Sequence, residues 1–261
     1  MTHNKTQAVY DAFGAEYFSR NHRTILYFNM IQAFPIRIAF SQCARDSGRK
    51  LEDLDVLNIG VGNGQHCEQL CSPIYKHAMG ERVRWDKMTD FDISYAMLEA
   101  AKRYYPSEAW TEKTGEKPPK QVQGDVLGLS SLLQDEQFNI ALAALCDHIE
   151  DQEGMYREIW KVLRPGGRVI TTYPHKQLMT TIRRDVYGID PDYTRFTIDG
   201  KVHKVRSHIL TPEDIAVYLQ NTGFDIVDTV NLFHDHSFKL HSMYVSNTVR
   251  KALKALNMPL E

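Results

Sequence analysis

The chain has 261 residues, 43% of them hydrophobic and 25% charged, with a formal net charge of -2 at pH 7. These values are typical of a globular protein and favour one domain, residues 1–261, over two independent units or a disordered chain. A charge this close to neutral disfavours nucleic acid and anionic membranes as partners. No segment approaches the roughly 20 apolar residues of a membrane-spanning helix, and the N-terminal residues lack the apolar core of a signal peptide, so we expect a cytoplasmic protein.

Residues 1–50 are predicted to form a helical lid, because apolar residues recur at helical spacing from about Thr6 to Ala44, with a break or bend at Pro35. After the lid, strands and helices alternate, which is typical of a parallel sheet covered by helices on both faces. The predicted strands are Val56–Ile59, Arg82–Asp92, Lys120–Gln123, Phe138–Ala144, Arg168–Tyr173 and Phe224–Leu232. The predicted helices are Gln65–Met79, Ala96–Tyr105, Gly154–Leu163 and Pro212–Asn221, and Pro106–Pro119 is predicted to be a loop.

Residues 176–210 interrupt this alternation between the last two predicted strands. Within them, Asp199-Gly200 stands between two short β-prone runs, which is a strong signal for a β-hairpin. Insertions of this kind often shape a substrate pocket. We therefore predict that residues 176–210 form a small cap over the substrate.

A glycine-rich turn, Gly60-Val61-Gly62-Asn63-Gly64, follows the first strand directly and leads into a helix. Glycines at alternate positions let the backbone turn tightly and approach a ligand without a Cβ in the way. A nucleotide-like cofactor would lie here, across the carboxyl ends of the strands. Such a turn can also be only a packing solution, so by itself it is weak evidence.

Two carboxylates follow the next two strands. Asp92 ends the second strand, where an acidic side chain can accept hydrogen bonds from both hydroxyls of a ribose. Asp125 follows the third strand and can accept a hydrogen bond from the exocyclic amine of an adenine. A turn or helix-capping role for Asp125 is nearly as good an interpretation. Together with the glycine turn, the two carboxylates indicate a nucleoside cofactor.

The order and spacing of these motifs resemble those of class I S-adenosylmethionine (SAM)-dependent methyltransferases of the small-molecule type. The resemblance covers residues 56–174 and 211–227, and its most specific part is Leu163-Arg164-Pro165-Gly166-Gly167. A dehydrogenase would instead show Gly-x-Gly-x-x-Gly in the first turn. The resemblance implies a doubly wound, mostly parallel seven-stranded α/β sheet of the Rossmann-like methyltransferase fold, with SAM as the cofactor and a small molecule as the acceptor.

The resemblance also implies which residues surround SAM. The glycine turn would border the methionine part, Leu145 would touch the amino group or sulfonium through its backbone, and Tyr10 and Tyr17 would form an aromatic lid with cation–π contacts to the sulfonium. The full set of implied cofactor-binding residues is Tyr10, Tyr17, Asn58, Gly60, Val61, Gly62, Asp92, Ile93, Met97, Asp125, Val126 and Leu145.

Two positions depart from the family pattern. The family usually has Glu or Asp where this chain has Asn58, and usually Asp where it has Asn139. A neutral Asn58 would hold the α-ammonium group of the cofactor less firmly than a carboxylate would. This substitution leaves the expected fold unchanged and bears only on the reaction.

Methyl transfer from a sulfonium is an in-line displacement that depends mainly on holding the reactants in line away from water. A base is needed only when the acceptor must lose a proton. His148, just after the fourth strand, and Tyr173, at the end of the fifth, are the candidate catalytic residues. A hydrogen-bonded structural role for His148 is the alternative interpretation.

Neither the cysteines nor the C-terminal histidines predict a metal site. Cys43, Cys67, Cys71 and Cys146 have no metal-binding spacing and are predicted to be buried free thiols. His234 and His236 would share one face of a strand, but no third ligand is identifiable, so we favour a solvated strand.

Three functions remain open from the sequence. The first is a methyltransferase for a small metabolite, acting in specialised metabolism as a monomer or homodimer. The second is a methyltransferase-like enzyme that uses SAM itself as substrate and lets its α-amine displace methylthioadenosine to give azetidine-2-carboxylate, for which a neutral Asn58 would be compatible. The third is a non-catalytic SAM-binding protein, which the chemistry of the other cofactor positions disfavours.

Overall fold

The computed structural model describes residues 3–14, 23–62, 64–73, 80–198 and 200–230. The central sheet contains β1 (Val56–Ile59), β2 (Met88–Asp92), β3 (Lys120–Gln123), β4 (Phe138–Ala144) and β5 (Leu163–Thr172). All neighbouring strands are parallel and their order is β3-β2-β1-β4-β5. A separate antiparallel hairpin consists of β6 (Tyr193–Ile198) and β7 (Lys201–Arg206). The predicted α/β class, parallel sheet and hairpin are confirmed, whereas the described residues place five strands in the sheet, not the expected seven.

Helices flank the sheet on both faces. They are α1 (His3–Phe13), α2 (Arg23–Ser47), α3 (Gln65–Cys71), α4 (Tyr95–Ala101), α5 (Glu108–Thr114), α6 (Leu129–Leu133), α7 (Gln152–Val162), α8 (Lys176–Thr180) and α9 (Pro212–Asn221). The start of α9 is a capping box, with Thr211 and Asp214 bonded reciprocally and Pro212 in the first turn. None of the described helices is both long and apolar enough to cross a membrane.

One predicted strand starts too early, and the described part of another forms no strand. The strand predicted from Arg82 begins only at Met88, because its partner β1 is four residues long and pairs first at Met88. Residues 224–230, which fall in the predicted strand Phe224–Leu232, form no strand. A strand needs a neighbour to bond its backbone, and no described segment pairs with these residues.

Three predictions about helices are also corrected. The predicted loop Pro106–Pro119 contains α5, which Ser107 caps through a hydrogen bond from the Trp110 N–H and which Gly115 ends in a left-handed conformation. Pro35 does not end α2, which continues through it to Ser47. The helix predicted to reach Met79 ends at Cys71, and residues 74–79 lie outside the described residues.

The core lies on both faces of the sheet, as side chains that alternate along a strand require. Val56 belongs to one cluster with Phe40 of α2, and the next residue, Leu57, belongs to another with Met155 and Ile159 of α7. All four cysteines are buried and unpaired, as predicted. The sheet is thus covered on both sides, and its carboxyl edge is left to form a site.

The hairpin is held against α1 by a third apolar cluster. Val9 and Phe13 of α1 contact Phe196, Ile198 and Val205 of the hairpin. The rings of Phe13 and Phe196 lie 5.1 Å apart between centroids. The N-terminal helix and the insertion therefore form one wall beyond the carboxyl ends of the strands.

Candidate functional site

The turn after β1 has the conformation for which its glycines are needed. Gly60, Gly62 and Gly64 have positive φ angles of 66°, 53° and 84°. This left-handed region is strained for residues that carry a Cβ. At Gly64 there is also no room, because a Cβ there would lie 2.8 Å from the Cβ and 2.9 Å from the Cα of Ala101. The turn therefore packs closely on α4 and exposes backbone at the end of β1.

Asp92, the last residue of β2, points into this turn. Its Oδ2 accepts a hydrogen bond from the Gly62 N–H at 3.1 Å, and its Oδ1 accepts one from the Ser94 N–H at 2.9 Å. Asp92 is 7% exposed, and burial raises its pKa to about 6, although the two N–H groups partly oppose that rise. A carboxylate accepts about four hydrogen bonds, so two positions remain for a ligand such as a ribose.

A cavity of about 160 Å³ opens at this edge of the sheet. The predicted site residues in its wall are Tyr10, Gly60, Val61, Gly62, Asp92, Ile93, Met97, Asp125, Val126, Leu145 and His148. Residues that sequence reasoning missed include Thr6, Gln65, His66, Gly124, Cys146 and Ile149. The carboxyl ends of adjacent strands thus bring together segments that are far apart in the chain.

Two predicted site residues among those described, Asn58 and Tyr173, are not in the wall of this cavity, and the position of a third is not described. Tyr17 lies outside the described residues. Asn58 is buried and donates a hydrogen bond to Oδ1 of Asp90 at 2.8 Å, on the neighbouring strand. The hydroxyl of Tyr173 donates to Oε1 of Gln152, and neither residue lies in the cavity wall. The structure therefore adds no support for a role of Asn58 or Tyr173 at the cavity.

Asp125 has the capping role that its sequence position left open. Its side chain accepts a hydrogen bond from the Leu127 N–H at 3.0 Å and caps the 3₁₀ turn Val126–Gly128. It also lies in the cavity wall. The adenine contact stays a prediction.

The charged residues of the cavity wall are acidic. No Lys or Arg is among its described residues, and its acidic residues are Asp92 and Asp125. An acidic wall suits a cationic ligand.

His148 lies in the cavity wall among aromatic rings. Its Nδ1 donates a hydrogen bond to the carbonyl oxygen of Arg206 at 2.7 Å. A carbonyl can only accept, so neutral His148 carries its proton on Nδ1 and leaves Nε2 as an acceptor. The ring centroid lies 5.9 Å from that of Tyr10 and 6.3 Å from that of Phe196. This tautomer is the one that a general base at Nε2 requires.

His66 is a second histidine in the wall, and its ring nitrogens are both engaged. Its Nε2 lies 3.0 Å from Nε2 of Gln32, and its Nδ1 lies 3.3 Å from Oε1 of Gln69. Burial lowers the pKa of His66 to about 4. The Gln32 carbonyl accepts from the Thr172 hydroxyl at 2.6 Å, so a neutral hydrogen-bonded chain runs from the wall to β5. The one sequence signal for His66 was its place two residues after the glycine turn.

Leu145 has an unusual backbone at the end of β4. Its φ is 55°, one of two positive values among the described residues other than glycine. Its N–H donates to the carbonyl oxygen of Thr172 at 3.0 Å, which anchors the strained residue to β5. Strained backbone is often found where a site needs a particular orientation. Leu145 lies in the cavity wall, and a backbone contact from it to the cofactor, which the family resemblance implies, stays a prediction.

Comparison with known proteins gives a consistent result. The family model described as "Methyltransferase domain" matches residues 50–206. The sterol 24-C-methyltransferase erg6 of Aspergillus fumigatus is 26% identical over 183 residues, which cover 69% of this chain. The chain spans only 42% of the length of that relative.

Solved structures share the fold at low identity. The magnesium protoporphyrin IX methyltransferase ChlM of Synechocystis PCC 6803, with bound SAH, is 17% identical, with a TM-score of 0.56 over 86% of this chain and 92% of that one. The DhpI–SAM–HEP complex is 20% identical, with a TM-score of 0.52 over 85% of this chain and 89% of that one.

Proposed function

The chain belongs to the methyltransferase-domain family, and on that premise we propose that it transfers a methyl group from SAM to a small-molecule acceptor. One observation carries the proposal. The glycine turn, Asp92 and Asp125 meet in one cavity at the carboxyl ends of β1, β2 and β3. The named relatives support it, since they include a sterol methyltransferase and structures solved with SAM or SAH.

Each part of SAM has a group of suitable chemistry in the cavity wall. Asp92 would accept hydrogen bonds from the ribose, and Asp125 with Val126 would contact the adenine. The exposed backbone of the glycine turn would lie along the methionine part. Tyr10 would face the sulfonium, where an aromatic ring stabilises a cation.

When bound, SAM would supply a methyl carbon that an acceptor atom attacks in line with the carbon–sulfur bond, and SAH would leave as that bond breaks. The protein holds the acceptor on that line and excludes water. His148 occupies the part of the wall beside Tyr10, and its unprotonated Nε2 would accept the proton of an acceptor O–H or N–H. Sterol and porphyrin acceptors of the relatives are small molecules, and we extend that class to this chain. Action in specialised metabolism and in the cytoplasm stay predictions.

A neutral Asn58 beside the amine of SAM would be compatible with the second sequence-based function. Asn58 instead donates to Asp90 and does not contribute to the cavity wall, so no structural observation favours that reaction.

Incubation of the protein with methyl-labelled SAM, with and without cell extract, tests the proposal. Mass spectrometry should show SAH and a labelled product with extract, and little turnover without it. Rapid formation of methylthioadenosine from SAM alone would contradict methyl transfer, as would tight SAM binding with no turnover in any extract or with any candidate acceptor.

SAM binding is expected to weaken as the pH falls through about 6, because burial raises the pKa of Asp92 to about 6. The protonated carboxyl accepts fewer hydrogen bonds, so affinity falls by up to about tenfold per pH unit below that pKa. Calorimetry between about pH 5 and pH 8 measures the slope. The Asp92→Asn variant should bind weakly with no such slope, and an equal slope in both proteins would contradict the assignment.

A further inference from the structure

We propose that Arg183, Ser207 and Asp147 are positioning residues that hold the hairpin against the loop after β4 and thereby set the His148 ring in the cavity. This inference rests on the proposed function only in so far as His148 acts there as a base. It concerns three residues that lie outside the cavity wall.

The three side chains form a buried chain of hydrogen bonds. They are 4%, 1% and 4% exposed for Arg183, Ser207 and Asp147. The guanidinium of Arg183 donates to the Ser207 hydroxyl oxygen at 3.0 Å, and that hydroxyl donates to Oδ2 of Asp147. One hydroxyl therefore joins a buried cation to a buried anion.

The charged groups depend on this hydroxyl because they have few other partners. Arg183 also donates to the carbonyl oxygen of Pro191 at 2.6 Å and to Oγ1 of Thr194 at 2.7 Å, both neutral acceptors. Within the described residues, no carboxylate lies within 4.0 Å of its guanidinium. A buried charge that loses its hydrogen-bonded partner is strongly destabilised, so the segments that carry these groups are held together.

The same segments make the contacts that orient His148. His148 follows Asp147 in the chain, and Arg206 precedes Ser207. The His148 Nδ1–H donates to the carbonyl oxygen of Arg206 at 2.7 Å, and the His208 N–H donates to the carbonyl oxygen of Asp147 at 2.7 Å. Residues 147–148 and 206–208 are thus bonded side by side, with the Ser207 hydroxyl at the centre.

The hairpin has a second attachment, to α1 through Phe196 and Val205, so loss of the Ser207 hydroxyl should loosen one side and leave the other in place. The expected result is a displaced His148 ring in a folded protein. A displacement of about 1 Å at a reacting group lowers turnover by about 100-fold.

The test uses Ser207→Ala, with Thr197→Ala, an exposed position on the same hairpin, as the matched control. Nitrogen-15 NMR reports which ring nitrogen of His148 carries the proton, with the signal assigned by its absence in His148→Gln. We expect the Nδ1–H form in the unaltered protein and in Thr197→Ala, and a mixture of both tautomers in Ser207→Ala. Ser207→Thr, which keeps the hydroxyl, should restore the Nδ1–H form. Unchanged His148 signals in Ser207→Ala would overturn the proposal.

The NMR measurement needs no acceptor, so the positioning role and methyl transfer are tested separately. If an acceptor is identified, Ser207→Ala should lower kcat while SAM affinity is retained, and an equal kcat would contradict the proposal. If Ser207→Ala does not fold, Thr194→Val is the substitute variant, because it removes one acceptor of Arg183. It should give a smaller fraction of the second His148 tautomer.

Discussion

Replacing Asp92 by alanine is expected to weaken SAM binding by about 100-fold. Two ribose hydroxyls would each lose a hydrogen bond to a charged group, worth about 3 kcal/mol together, and 1.4 kcal/mol corresponds to tenfold in affinity. The loss should not be recovered by neighbouring groups, because Asp92 is the one acidic side chain at the end of β2 that lies in the cavity wall. Isothermal titration calorimetry with SAM measures the effect.

The matched control is Asp135→Ala, which removes an exposed carboxylate that is absent from the cavity wall. Its SAM affinity should equal that of the unaltered protein. Equal affinities of Asp92→Ala and Asp135→Ala would show that SAM is not held through its sugar at this position.

Replacing Gly64 by alanine is expected to lower the free energy of unfolding by about 3 kcal/mol. About 1–2 kcal/mol comes from placing a Cβ in the left-handed region, since φ is 84°. A further 1–3 kcal/mol, roughly, comes from the clash with the backbone of Ala101 in α4. The melting temperature should fall by roughly 6 to 12 °C in a chain of this size.

Gly48→Ala separates the two contributions. Gly48 has a φ of 64°, but nothing lies within 4 Å of the position a Cβ would take. This variant should show only the backbone term of about 1–2 kcal/mol. If both variants lowered the melting temperature equally, the close packing of the glycine turn on α4 would be contradicted.

The parallel sheet could be predicted because its signals are local. Buried strands such as Val56–Ile59 read as short apolar runs, and Asp199-Gly200 marks the hairpin without reference to other segments. The helix Glu108–Thr114 was missed because it has no buried residue and thus no apolar period, although Ser107 and Gly115 mark its ends.

The positions of individual side chains could not be predicted because they depend on register. Asn58 and Asp90 are register partners across β1 and β2, and that pairing explains why Asn58 bonds a carboxylate and not a ligand. Burial raises the pKa of Asp90 to about 6, although Tyr105 and Asn58 donate to it and oppose that rise. The acidic side chain at this point of the sheet is therefore Asp90 on β2. In the family pattern it would stand on β1, at the position of Asn58.

Some residues of the wall, and the hydrogen bonds that support it, could not be predicted for a similar reason. His66 contacts Gln32, 34 residues earlier in the chain, and Ser207 contacts Asp147, 60 residues earlier. No periodicity links such positions. Segment boundaries, by contrast, were sufficient to expect Asp92 and Asp125 at one edge, because the carboxyl ends of adjacent parallel strands meet there. Leu145 was expected there only from the family resemblance.

A crystal structure of the protein with SAH would test the placement of the cofactor most directly. We predict that both ribose hydroxyls lie within hydrogen-bond distance of the Asp92 carboxylate, that the adenine lies beside Val126, and that the sulfur faces Tyr10. SAH bound elsewhere, or bound in the cavity with its ribose turned away from Asp92, would contradict the account.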